Sequence, residues 1–390
     1  MRYTGTVVRG IRTPIISSGD DLGSIVVNSI VKASKKEKFE LKDSDIIGIT
    51  EAVLSISQQN YISLDDIGKE VKKKLPVDDI ALVFPILSRN RFSMILEAIA
   101  KEYKKVFVLL SYPADEVGNH IMDEEKMYKL GLNPYSDSFT ERRYRNLFGK
   151  SVKHKFTGID YVKYYKSFGD NVKIYFSNKP EYILKYCKNI LACDIHTRKR
   201  TKSVLKRKGA NMVYGLDDIC NRKNSKKGYN KEYGLLGSNR ATDDKLKLFP
   251  RDCDLFVREV QKLFKKYTGK NVEVLIYGDG AFKDPVGKIW ELADPVVSPG
   301  FTEGLKGQPK EVKLKYISEN WDGENDLEEY VKKIISEKHT EKYESKKSLG
   351  TTPRQITDLL GTLCDLTSGS GDKGTPVVYI QGYFDDRSVE

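Results

Sequence analysis

Val272-Glu273-Val274-Leu275-Ile276-Tyr277 runs directly into Gly278-Asp279-Gly280. The six residues, all apolar or aromatic but Glu273 and bounded by turn residues, read as a strand. Before them, within 251–267, Phe256, Val260, Leu263 and Phe264 recur at i, i+4, i+7 and i+8, the apolar face of a helix. A helix feeding a strand that ends on a carboxylate between two glycines is an α/β unit with a functional edge. Glycines let a backbone close on a ligand, and an aspartate there can hold a divalent cation. Asp279 is therefore the sharpest candidate for chemistry, although a plain tight turn uses the same tripeptide.

The same unit recurs outward from this stretch. Near the N-terminus, Thr6-Val7-Val8 is a short strand. Ser18 to Asp21 then supply capping groups for a helix whose apolar positions are Leu22, Ile25, Val26 and Ile30. The free N–H groups at such a helix start suit an anion. A second strand, 45–50, ends at Glu51. A carboxylate there faces a ligand or simply opens a helix; the pattern fits both equally. Towards the C-terminus, Thr351-Thr352-Pro353 opens a helix with Ile356, Leu359, Leu360 and Leu363 on its buried side. It ends in the Gly/Ser-rich stretch 367–375, and the strand 376–380 follows. Such a stretch can cradle phosphates through backbone N–H groups. Its helix–loop–strand order is the reverse of a P-loop, and an ordinary turn fits the pattern as well. The charged stretch 318–348 reads as a solvated helix with its linkers.

The middle of the chain holds two more strands that run into polar loops. Residues 80–84 lead to Ser88-Arg89-Asn90-Arg91, and 106–110 lead to Ser111-Tyr112-Pro113-Ala114-Asp115-Glu116-Val117-Gly118-Asn119. Arg89 and Arg91 could pair with a substrate carboxylate in bidentate fashion, or form a surface cluster. Gly237-Ser238-Asn239 could meet a purine edge or a phosphate, though an Asn turn is the plainer reading. No fixed-period repeat is present.

A length of 390 residues allows two or three domains or one α/β body with insertions, and 39% hydrophobic residues supply a core. Lys and Arg number 67 against 55 Asp and Glu, a formal charge of +12 that favours anionic ligands. The densest basic patch, Arg198-Lys199-Arg200 with Lys202 and Lys206-Arg207-Lys208, reads mainly as solvated surface. Nucleic acid is the lesser partner because no aromatic recognition motif accompanies it. No apolar run reaches the roughly 18 residues of a membrane span, and the first residues lack the pattern of a secretory signal. Five cysteines without a C-x-x-C, and four scattered histidines, argue against a disulfide framework or a zinc site. A cytoplasmic protein is the expectation.

Taken together, these motifs resemble the coenzyme F-420 gamma-glutamyl ligase family. Pro14-Ile15-Ile16-Ser17-Ser18-Gly19-Asp20-Asp21-Leu22 is similar to the family's Pro-Leu-Ile-x-x-Gly-Asp-Asp-Leu opening. Thr50-Glu51-Ala52-Val53-Leu54-Ser55 resembles its Thr-Glu-x-x-x-Ser stretch. Gly237-Ser238-Asn239 and Leu248-Phe249-Pro250-Arg251-Asp252 resemble its Ser-Asn and Leu-Pro-x-Asp pair. The strand ending at Asp279 and the last helix, loop and strand resemble its final third. The likeness covers roughly 1–65, 232–285 and 350–384.

The resemblance implies an α/β (α+β) fold of mixed sheets with flanking helices. The core would be 1–65 and 232–390, with 66–231 an inserted α/β region. It implies an amide ligase that activates a carboxylate acceptor with GTP or ATP through an acyl phosphate, which the amine of L-glutamate or a similar amino acid then attacks. It also implies a homodimer and a divalent cation, magnesium or manganese. Carried over, Pro14, Ile15, Ile16, Ser17, Glu51, Ser55 and Asn239 would contact the nucleotide. Gly369, Ser370, Gly371, Asp372, Lys373 and Gly374 would meet its phosphates. Asp279, with Asp372, would hold the cation. Asp279 and Glu51 would be catalytic; Arg89 and Arg91, which lie outside the likeness and are read from the residues alone, would take the substrate carboxylate. Four positions depart from the family pattern: Leu236 replaces a cation-binding Asp, Ile56 a Lys, Gly280 a Thr and Ser370 a Gln. Asp217, Asp218, Asp284 or Asp372 would have to replace the lost acid. A nucleotide-binding homologue without ligase activity is the second reading, and an RNA-binding protein the third.

Overall fold

The structure is a computed structural model that describes residues 4–223, 227–278, 282–283, 290–291, 298–309, 311–323, 326–337, 355–368 and 371–385. It is mixed α/β, with sheets that combine parallel and antiparallel pairs and helices on their faces. The chain forms two units. One contains the described residues of 1–54, 252–279 and 296–390, and the other those of 55–251 and 280–295.

The first unit is built on a five-stranded sheet. Its spatial order is Val7–Ile11, Val377–Gln381, Ile46–Thr50, Glu273–Tyr277, Gly300–Phe301. Ile46–Thr50 runs parallel to Glu273–Tyr277 and antiparallel to Val377–Gln381. Side chains alternate between faces along a strand. Ile47, Ile49, Val274, Ile276, Val377 and Tyr379 therefore share one face, where they pack on helices Leu22–Glu37 and Cys253–Thr268. Ile46, Leu275, Tyr277, Val378 and Ile380 share the other, under helix Ile356–Ser368. Burying each such side chain is worth about 1.5–3 kcal/mol. The helices form where the pattern predicts. Asp21 caps the first by accepting from the Ser24 backbone N–H at 3.1 Å and its hydroxyl at 2.7 Å, which holds the Asp21 carboxyl below the usual range. The last helix buries Ile356, Leu360 and Cys364; its expected Thr351-Thr352-Pro353 cap lies outside the described residues.

One expectation changes. The charged stretch 318–348 contains the helix Leu327–Glu337 and the end of the helix Leu314–Glu319, and these are not wholly solvated. Val331, Ile334 and Ile335 fall on one face of their helix at helical spacing despite the surrounding charge, and are buried together with Ile317 of the preceding helix.

The second unit carries a six-stranded sheet ordered Phe139–Thr140, Val172–Phe176, Lys105–Leu110, Asp79–Val83, Asn189–Ala192, Met212–Gly215. All neighbours are parallel except the first pair. From Asp79–Val83 the chain first winds one way, to Lys105–Leu110 and Val172–Phe176. It then returns to build Asn189–Ala192 and Met212–Gly215 on the other side. The winding reverses between Asp79–Val83 and Asn189–Ala192, the place where open α/β sheets form a ligand crevice.

A small antiparallel sheet completes this unit: Ser238–Arg240 pairs with Lys245–Leu248, which pairs with Tyr61–Ser63. Buried Asn60 secures the junction. Its Nδ2 donates to the Phe249 and Tyr229 carbonyls, and its Oδ1 accepts from Arg251 Nη1 and Tyr229 N. The structure thus divides at 54/55 and 251/252, whereas the sequence reading divides at 65/66 and 231/232. The strand pairing between residues near 62 and near 246 accounts for the difference.

Candidate functional site

One end of the five-stranded sheet gathers the motifs of the first unit. In register, Ile11 lies opposite Val377, Val377 opposite Ile49, and Ile49 opposite Ile276. Three strands leave the sheet at this row and one enters it. The loop 12–21 follows Ile11, Glu51 follows Thr50, Gly278 follows Tyr277, and 371–376 lead into Val377. Backbone hydrogen bonds tie these segments together. Thr13 N donates to the Gly374 carbonyl at 3.2 Å, and Thr50 N to the Pro376 carbonyl at 3.0 Å. Gly10 is packed so closely that a Cβ would meet Thr375 at 3.2 Å.

The loop 12–21 is shaped by its own acids. Asp20 Oδ2 accepts from Ser17 N at 2.6 Å, and Asp21 caps the helix. Ile15 is 94% exposed at the tip, an unusual place for a large apolar side chain. Pro14 lines a groove of about 1120 Å3 whose walls also carry Arg9, Arg12, Lys32 and Lys36. That volume and charge suit a large anion. Glu51 is buried at the start of helix Glu51–Ser57. Burial, followed by the charges of Asp254, Glu51 and Asp252, pushes the Cys253 thiol up to about 12. Asp372 and Lys373 are exposed on the short turn Gly371–Lys373.

Asp279, Gly280, Asp284, Gly369 and Ser370 lie outside the described residues. Among the described residues no three His, Cys, Asp or Glu side chains come together in a way that could hold a metal ion. A hard divalent cation prefers carboxylate oxygens; Asp372 on the turn Gly371–Lys373, and Asp279 outside the described residues, are donors of that type.

The remaining expected residues belong to the second unit. Ser55 Oγ donates to the Leu248 carbonyl at 2.8 Å in a buried setting. Asn239 sits half-buried on the strand Ser238–Arg240, where its Oδ1 accepts from Arg240 N. Leu236, at the position of the family's missing acid, is 1% exposed within the apolar core. Asp217 faces Arg198 at 3.1 Å, and Asp218 faces Lys202 at 2.8 Å. These contacts also pair part of the basic patch internally.

Arg89 and Arg91 lie on the loop that leaves Asp79–Val83 at the winding reversal. Arg89 is exposed, whereas Arg91 is buried and its Nη1 donates to the Leu236 carbonyl at 3.2 Å. Acids that sequence reasoning had not singled out hold the loops at this sheet end. Asp115 accepts from Leu87 N, Val117 N, Asn119 N and Asn119 Nδ2, while burial raises its pKa. Glu116 accepts from the backbone N–H groups of Ile195, His196 and Thr197, at the start of helix Arg198–Arg207. Asp194 Oδ2 accepts the hydroxyls of Thr197 and Thr201, both at 2.7 Å. The only sequence signal was their position just past strand ends.

Comparison with known families agrees with the motifs at this sheet end and points to a ligase. A family model described as F420-0:Gamma-glutamyl ligase matches residues 10–382, so the chain belongs to that family. It is accordingly an enzyme of the class that forms carbon–nitrogen bonds. The match includes the middle of the chain. No curated protein matches it. No helix among the described residues is long and apolar enough to cross a membrane.

Proposed function

We propose that this ligase activates a carboxylate acceptor with GTP or ATP and joins it to the amine of L-glutamate or a similar amino acid. The acceptor carboxylate attacks the terminal phosphorus and releases the nucleoside diphosphate. The resulting acyl phosphate is attacked by the amine, an amide forms, and inorganic phosphate leaves with the displaced oxygen. The observation that carries this reading is the common row of strand ends in the first unit, from which the loop 12–21, Glu51, the strand leading to Asp279 and the segment 371–376 all open.

In this reading Pro14, Ile15, Ile16 and Ser17 border the nucleotide and Gly371 to Gly374 meet its phosphates, with Lys373 supplying charge. Ser55 and Asn239 remain proposed nucleotide contacts. Glu51 positions the reacting groups. Asp279, with Asp372, would hold magnesium or manganese, which would neutralise phosphoryl charge when bound. Arg89 and Arg91 belong to the proposed acceptor site, where the exposed Arg89 is the better placed to pair with a carboxylate. We further propose a cytoplasmic homodimer.

The test is to measure nucleoside diphosphate release with a panel of carboxylate acceptors, with and without L-glutamate. Release that requires both acceptor and amino acid supports the reading. Nucleotide binding without turnover under every combination would instead favour the non-ligating alternative.

A further inference from the structure

A cleft of about 380 Å3 opens in the second unit, beside the last turn of helix Leu64–Lys74. Its lining carries five cations, Lys73, Lys74, Arg222, Lys223 and Lys227, against the single carboxylate of Glu70. Of these five cations, and among the described residues, only Lys227 has carboxylates within ion-pair distance, Asp66 at 2.7 Å and Glu70 at 3.7 Å. Lys74 instead lies 5.7 Å from the Tyr214 ring centroid. The helix C-terminus accounts for two lysines, since cations are favoured there. It does not account for Arg222 and Lys223, which approach from a loop.

Like charges crowded into a cleft repel one another, and low-dielectric walls focus their field on whatever enters. Asn221 adds an independent signal. It lines the same cleft, and its Oδ1 is buried without a hydrogen-bond partner. Buried polar atoms are normally satisfied, and a ligand hydroxyl would satisfy this one. The volume lies within the range of small-molecule sites, about 300–1,000 Å3, and is too small for a nucleic-acid strand.

We propose that this cleft binds a small phosphorylated metabolite, with its phosphate on Arg222, Lys223, Lys73 and Lys74 and a hydroxyl donated to Asn221. Arginine supplies the bidentate phosphate contact, and the lysines supply point charges. The site goes beyond the ligase reading and does not depend on it.

The test is calorimetric titration of the full chain, without divalent cations, using ribose 5-phosphate, pyrophosphate and a short single-stranded RNA as probes. The wild type should bind ribose 5-phosphate saturably. Arg222→Gln combined with Lys223→Gln should weaken that binding about tenfold or more with an unchanged melting temperature. Asn221→Ala should weaken ribose 5-phosphate severalfold and leave pyrophosphate unaffected. Equal affinity in wild type and double variant, or no saturable binding at millimolar probe and low salt, would overturn the proposal. So would RNA that binds through these two residues when neither small anion does, because the cleft would then serve a nucleic-acid backbone.

Discussion

Thr13 donates its backbone N–H to the carbonyl of Gly374, joining residues 361 positions apart at one end of the first unit's sheet. The bond makes the segment before the last strand and the loop after the first strand neighbours. Thr50 does the same for Pro376. A ligand that meets the loop 12–21 is therefore close to the segment entering Val377 and to the start of helix Glu51–Ser57.

Glu51 is the buried carboxylate of this sheet end. Its replacement by Gln keeps the shape and removes the charge. Turnover should fall about a hundredfold, the usual scale for a positioned acid or base. The melting temperature should stay within a few degrees. Undiminished steady-state turnover in the variant would remove Glu51 from the chemistry.

Gly48 separates the two central faces of the same sheet. A Cβ there would fall 2.3 Å from Cys364 Sγ and 3.5 Å from Tyr277 Cδ1. The helix Ile356–Ser368 can sit this close only because the strand has no side chain at that point. Gly48→Ala should destabilise the chain by about 1–3 kcal/mol, the ordinary cost of overpacking. Adding Cys364→Ala removes the colliding sulfur and should recover part of the loss. Denaturant midpoints of the two variants check this; an unaltered midpoint in the single variant contradicts the packing.

Asp194 provides a pH test in the second unit. Burial, above all, holds its carboxyl above the ordinary value, and the charge of Glu116 acts in the same direction. The Thr201 and Thr197 hydroxyls oppose them. The folded state therefore binds the proton more tightly than the unfolded chain, whose value is about 3.9. The stability this contributes is full below that value and is lost as pH rises through the folded pKa. Asp194→Asn should flatten the slope of stability against pH over this window. Urea unfolding of both proteins from acid to neutral pH measures it, and an identical slope would refute the assignment.

The strands were legible because their apolar runs stop at turn residues, and the helices because Asp21 offers a cap and Leu22, Val26 and Ile30, or Val260 and Phe264, recur at helical spacing. The convergence of four motifs on one row was not legible, since it depends on register between strands hundreds of residues apart. The boundary between units was hidden for the same reason: Ile62 finds Leu246 only in the folded chain. Glu116 escaped because its hydrogen bonds cross between loops, and no local pattern marks an acid that will meet a distant helix start; Asp194, by contrast, bonds to the nearby Thr197 and Thr201. Leu236 was readable as a departure from the family, yet only burial shows that the position belongs to the core.

The central claim is that the strand ends of the first unit bind a nucleotide with a divalent cation. Calorimetric titration of magnesium–GTP and magnesium–ATP into the wild type and into Asp279→Asn tests it most directly. The account predicts saturable binding of at least one nucleotide by the wild type. It also predicts that the variant loses about tenfold or more of that affinity, only when magnesium is present, and keeps its melting temperature. Equal, magnesium-dependent affinity in both proteins would contradict the account.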